Sequence, residues 1–406
     1  MADLAEEDFQ PLRPSRSGQF STPPLDAIRS ALQAMASGNV MELEQLLQKH
    51  PALVDSSGFD ATQEGTYFHG AALLHYVTGN PTDHPVPKNA AEVTRLLLRS
   101  GADPNSMTDV GNNTPLCLMA SSKPAREAGV QTELIDILIE AGAEVDASDG
   151  LAIYAALAHG ETKASRALYH HGARLDLRFA AGLGEIGVME SFLTAAGTLK
   201  TDARRSHSRR PYYERNVGVT KDSAPDADTS ELPRMTDSEI LAEALAYAMV
   251  NQQLEAMRWL LDHGADPNVK PTRFHGGQSV LHLACSGLGD SDTDVVKMLL
   301  DAGADANDND PESTVATPLQ WAVHNGQPAP ISMLLECTDG TAADHVHYAL
   351  KCLAQNDAKQ RARRLAVIEA LLEGGATPAV ARGDGRTVAG VVEESGEAEL
   401  QDLIER

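Results

Sequence analysis

Apolar residues recur along this chain at spacings of three and four, as in Val295, Met298 and Leu299, the stripe that an α-helix buries against a neighbour. Several stripes end on glycine. Gly101, Gly142, Gly264 and Gly303 each follow an amphipathic stretch, where a left-handed residue stops a helix, and Asp, Pro and Asn follow them as chain-reversing residues. Other stripes open on Thr-Pro. At Thr114-Pro115 and Thr317-Pro318 the threonine oxygen can accept a hydrogen bond from an unsatisfied backbone N–H, and the proline needs no N–H and has its φ already set for a helix. The pattern predicts an all-α chain of short helices joined by reversing turns.

The same phrases return along the chain. "LLLRSGADPN" ends at Asn105, "LIEAGAEVD" at Asp146, "LLDHGADPN" at Asn268, "LLDAGADAN" at Asn307 and "LLEGGATPA" at Ala379. A second phrase precedes them, as "AALLHYV" from Ala71, "TPLCLMA" from Thr114, "SVLHLAC" from Ser279 and "TPLQWAV" from Thr317. Together they resemble the ankyrin repeat, with its period of about 33 residues and its T-P-L-H-x-A signature. The arrangement is similar to that of bacterial-type multi-repeat ankyrin proteins. The resemblance implies a solenoid of stacked helix-turn-helix units with finger loops, about ten of them, none able to bury its apolar face alone. It also implies that His75 and His282, at the signature histidine, brace neighbouring units. Its binding surface would be the fingers and the inner helices that face the concavity.

Two departures divide the array. From the signature position to the helix-ending glycine, a plain unit needs about 18 residues. Ala246 to Gly264 obeys, whereas His75 to Gly101 spans 26 and Cys117 to Gly142 spans 25. The surplus pieces, "NPTDHPVPKN" and "SSKPAREAGV", fall between paired helices and predict two long loops side by side at one edge. The second departure is residues 198–235, which carry no apolar periodicity and several helix-breaking prolines. The expected order is a flexible tail over 1–24, a front stack of about five units over 25–197, the insertion, and a rear stack of about five units over 236–406. The fifth unit reads as having a compressed first helix, and the last as an acidic cap.

Charge changes this picture at one place. The chain holds 33 basic and 58 acidic residues, a net charge of -25, and so repels nucleic acid and anionic membranes as a whole. From Lys200 to Lys221, however, seven basic residues face two acidic ones. Arg204, Arg205, Arg209, Arg210 and Arg215 offer forked donors for carboxylate or phosphate, and Tyr212 and Tyr213 offer flat contact surface. That composition suits a protein partner bearing an acidic patch; single-stranded nucleic acid is the alternative reading of residues 200–221. Aromatics are only 4% of the chain, so the core must be built of Ala, Leu, Val and Ile. No run approaches the ~18 apolar residues of a membrane span. The four cysteines are far apart, and buried reduced thiols in a cytoplasmic, monomeric protein are expected.

Candidate chemistry concentrates in "TYFHGAALLHYVTGNPTDHP", from Thr66 to Pro85. An enzyme or small-ligand or metal binder would use a pocket roofed by the two inserts, lined by Asp60, Glu64, Tyr67, Phe68, His69 and His84. Yet His69 precedes the helix of that stretch and His84 follows it, about 15 Å apart at 1.5 Å per residue over some ten residues. No nucleophile elbow, zinc-binding H-E-x-x-H or phosphate-binding loop is present, and "GLGEIG" at Gly182 sits in a helix-turn-helix context. The leading expectation is therefore a non-catalytic protein-binding scaffold with no catalytic residue, metal or cofactor. Beside the insertion, its contact candidates are Arg273, Phe274 and His275 in a finger, and Trp321 on an inner helix.

Overall fold

The first helix, α1 (Leu25–Ser37), buries Ile28, Ala31, Leu32 and Met35 on one face, the stripe its sequence spacing dictates. It turns at Gly38 into α2 (Val40–Lys49), which packs back against it. The structure is a computed structural model, and it describes residues 23–57, 66–81, 85–203, 235–271, 278–287, 293–309, 317–338, 342–353, 358–375, 387–395 and 398–405. Among these residues there are helices and two isolated bridges but no strands, and no helix is long and apolar enough to cross a membrane.

The chain packs as two units divided between Leu175 and Asp176. In the first, a 3-10 helix over Leu73–Thr78 pairs with α3 (Ala90–Arg99), and α4 (Pro115–Ala120) pairs with α6 (Gln131–Glu140). Between those two lies α5 (Lys123–Glu127), formed by the second surplus piece. The fourth pair is α7 (Ala147–Ala158) with α8 (Thr162–His170); Ser148, Asp149 and Gly150 have positive φ, so regular helix begins at Leu151. One row of helices runs α1, the 3-10 helix, α4, α7, and the other runs α2, α3, α6, α8.

The second unit begins with α9 (Leu177–Leu183) and α10 (Ile186–Ser191). It continues through α11 (Asp237–Val250), α12 (Leu254–Asp262), α13 (Val280–Ala284), α14 (Thr293–Asp301), α15 (Pro318–Asn325) and α16 (Ile331–Cys337). The last elements are α17 (Ala342–Leu353), α18 (Ala358–Glu373), α19 (Val388–Ser395) and α20 (Ala398–Glu405). Its inner row is α9, α11, α13, α15, α17, α19. The pair α9/α10 thus packs with α11/α12 across the insertion, whereas the sequence grouped residues up to 197 with the front stack. The shortening of this pair is also placed differently from the sequence expectation: α10, with 6 residues, is the shorter of the two.

Small side chains let the inner helices approach closely. In α11, Ala242, Ala244, Ala246 and Ala248 are all fully buried, with Tyr247 filling the remaining volume. Helix ends follow the sequence signals. Thr114 and Thr317 accept from the N–H groups of Cys117 and Gln320, with Pro115 and Pro318 at the first helical positions. Gly101, Gly142, Gly264 and Gly303 have φ of 99°, 97°, 90° and 89°. Cys117, Cys285 and Cys352 are buried thiols, as expected, but Cys337, the last residue of α16, is exposed.

Candidate functional site

The aromatic and histidine residues after Thr66 are mostly internal struts. Phe68 is 1% exposed and meets Tyr76 edge to face at 4.7 Å. His75 is fully buried; its Nδ1 accepts from the Ala72 N–H at 3.1 Å, which leaves Nε2 to donate to the Asn113 carbonyl of the next repeat at 3.2 Å. Asn113 returns the contact by donating from Nδ2 to the Tyr67 carbonyl at 3.0 Å. The Tyr67 hydroxyl donates to Asn80 Oδ1, also at 3.0 Å. His69 lies 4.0 Å from Asp109 in the next finger, and the Asp109 N–H donates to its carbonyl. Gly70 is required there: a Cβ would stand 2.3 Å from the Asp109 carboxylate.

Of the six pocket candidates, then, Tyr67, Phe68 and His69 are tied into the joint between two repeats. Asp60, Glu64 and His84 lie outside the described residues. A hollow does lie beneath one insert, where Val86 and Pro87 cover Leu32, Met35 and Tyr76. It is apolar, none of Tyr67, Phe68 and His69 lines it, and its volume of about 20 Å³ is room for one water molecule.

The inserts themselves act as clasps. Asn89 in the first donates to the Gly38 carbonyl of the preceding repeat at 2.8 Å. In the second, Ser122 caps α5 and donates to the Thr78 carbonyl at 2.6 Å, while Arg126 reaches forward to Glu161. Glu161 is only 3% exposed, and burial pushes its carboxyl above the ordinary value, with Arg126 and Gln131 opposing.

His282 brings together a serine, a histidine and an aspartate, but not as a relay. The Ser279 hydroxyl lies 2.7 Å from Nδ1, and Asp308 Oδ2 lies 3.6 Å from that same nitrogen. A nucleophile and an orienting acid need opposite ring nitrogens, and this ring is fully buried. Trp321 packs edge to face on His282 at 6.0 Å and is half-buried. One turn on, exposed His324 accepts or donates a 2.7 Å hydrogen bond with the Tyr348 hydroxyl, and the two rings stack. Burial pushes the Tyr348 phenol up, with Cys352 adding to the shift; burial lowers His324, with Arg364 adding. Trp321, His324 and Tyr348 form an aromatic surface on α15 and α17.

The other contact candidates, Arg204, Arg205, Arg209, Arg210, Tyr212, Tyr213 and Arg215, and Arg273, Phe274 and His275, lie outside the described residues. The described residues that flank 204–234 are packed. Before it, Thr198 pairs with Thr194, Lys200 donates from Nζ to the Ser191 carbonyl at 2.6 Å, and Ala203 is fully buried. After it, Thr236 and Glu239 exchange side-chain-to-backbone hydrogen bonds at the start of α11.

Sequence reasoning missed one buried cluster. Asp176 caps α9, accepting from the N–H groups of Arg178 and Phe179 at 3.0 and 3.1 Å. Its other oxygen takes two hydrogen bonds from the Arg178 guanidinium, at 3.0 and 2.6 Å. Arg178 Nη1 then donates to Glu243 of α11 at 2.7 Å. Burial alone would lower the arginine's pKa; Asp176 and Glu243 outweigh it and hold the guanidinium above its ordinary value. The available signal was Asp176 standing in "DLRFAA" where another unit has Thr114 in "TPLCLM".

Residues 235–310 match the family model of ankyrin repeats, in three copies. The curated proteins gave no match to the chain. Among the described residues, no three His, Cys, Asp or Glu side chains gather as a metal site would require.

Proposed function

We propose that this chain, an ankyrin repeat protein, is a non-catalytic binding scaffold that captures a protein partner with an acidic patch through residues 204–234. Arg273, Phe274 and His275 and the aromatic surface of Trp321, His324 and Tyr348 would supply further contacts. Ankyrin repeats in general mediate protein–protein interaction, and the finer assignment rests on one observation. Both ends of the insertion are held in the packed structure: Ala203 is buried at the near end, and Met235 at the far end stands 4.0 Å from Arg178. Arg178 of α9 and Glu243 of α11 thus meet directly on either side of the intervening residues, whose arginines supply local positive charge on a molecule of net charge -25.

The two packed ends also define the test. Residues 198–203 belong to the packed structure and are kept; residues 204–234 are replaced by a short Gly/Ser link. The shortened protein should keep its helix content and melting temperature while losing partners captured from a lysate of its own cells. Loss of nucleic acid in place of protein would favour the alternative reading of the basic run. Unfolding or aggregation of the shortened protein, or unchanged capture, would contradict the proposal.

A further inference from the structure

We infer that the Asp176–Arg178–Glu243 triad is a joint that carries the repeat stack past the insertion at 204–234, so that the α9/α10 repeat folds and opens together with α11/α12. The inference does not depend on what residues 204–234 bind.

Three observations carry it. The triad is desolvated: the side chains of Asp176, Arg178 and Glu243 are 0%, 6% and 2% exposed. The inter-repeat pairs Arg95 with Glu133 and Arg361 with Glu399, by contrast, are at least one-third exposed on both sides. Exposed pairs of that kind are screened and hold little. Buried charges behave differently, because each is strongly destabilised when its partner leaves. Closing α9 on α11 out of register would leave Arg178 or Glu243 buried without its partner, which disfavours every packing of this seam except the one in which the two meet.

Second, the geometry fixes register. Asp176 is held by the α9 backbone N–H groups, and the planar guanidinium is held by Asp176, so its free edge points to one place on α11. Glu243 occupies that place at 2.7 Å. A slip of α11 by one residue would turn Glu243 away by about 100° of helix.

Third, the contact extends beyond the ions. Phe179 meets Tyr247 edge to face at 5.7 Å, with the Arg178 guanidinium 5.4 Å from the Phe179 ring. In the turn after α9, Gly184 lets the Gln253 side-chain oxygen come within 2.3 Å of where a Cβ would be. Inner helices and the following turns are thus joined along the whole repeat.

Hydrogen exchange on the full-length protein tests the inference. Arg178→Leu should accelerate exchange at least about tenfold both in residues 177–191 and in 237–262, while 90–99 and 131–140 keep their protection. Combining Asp176→Asn, Arg178→Met and Glu243→Met removes every charge but keeps volume and the helix cap; protection should recover from the Arg178→Leu level, since no buried charge is left unpaired, yet stay below wild type on both sides, since the register-fixing bond is gone. If Arg178→Leu fails to fold, Glu243→Gln gives the same two-sided readout in milder form. Loss confined to 177–191, or no loss in any variant, would overturn the joint. Deleting 204–234 should leave protection on both sides intact even if partner capture fails, so the two proposals fail separately.

Discussion

Asn105 donates its side-chain amide to the carbonyl of Gly142 in the next repeat at 2.8 Å, and its oxygen accepts from the Glu144 N–H at the same distance. Asn268 repeats the arrangement with Gly303 at 2.9 Å and Asp305 at 2.8 Å. One finger residue therefore satisfies a helix-ending carbonyl and the N–H beyond it, which fixes the spacing between repeats. These bonds are at the surface, so replacing Asn268 with Ala should lower stability by about 1 kcal/mol. A urea titration checks it; Asn268→Asp, which keeps only the acceptor, should fall between, and an Ala midpoint equal to wild type would contradict the role.

His75 and His282 brace their repeats from full burial. Replacing either with Ala leaves buried backbone or hydroxyl groups without a partner, at a cost of about 1 to 3 kcal/mol. Thermal melts should show both losses. Unchanged stability together with lost partner binding would mean that the histidines belong to a binding site.

Glu161 should give the chain a particular pH dependence. Burial raises its folded-state pKa above the unfolded value, so the folded protein holds the proton more tightly between the two. Stability from this group therefore falls as pH rises through that window, and the penalty is complete above the folded pKa. Glu161→Gln removes the charge but keeps an acceptor for Arg126. The variant should be more stable than wild type at neutral pH, and the gap should close as pH falls to the ordinary carboxylate range. A gap that is constant with pH, or reversed at neutral pH, would contradict the assignment.

Much of the fold was legible because its signals are local. Thr114 and Pro115 start a helix from adjacent positions, and Gly101 stops one, whatever lies elsewhere in the chain. The two surplus pieces were legible as length, but not as clasps, since Asn89 finds Gly38 and Ser122 finds Thr78 only after the repeats stack. The Arg178–Glu243 pair was hidden for the same reason. Its partners lie on either side of the insertion, and neither position breaks a local rule strongly enough to announce the other. The density of histidine and aromatic residues after Thr66 suggested chemistry, yet Phe68 and His75 are used for packing and for hydrogen bonds between repeats.

The central claim, that an acidic protein partner is held through the basic insertion, is tested most directly by changing its charge and nothing else. Arg204, Arg205, Arg209, Arg210 and Arg215 are replaced together by Gln in the full-length protein, and capture from its own cell lysate is measured over a salt series. Intact protein should retain its partners at low salt and release them as salt rises, while the variant, with an unchanged melting temperature, should retain none of them. Recovery of the same partners by both proteins, with the same dependence on salt, would contradict the account.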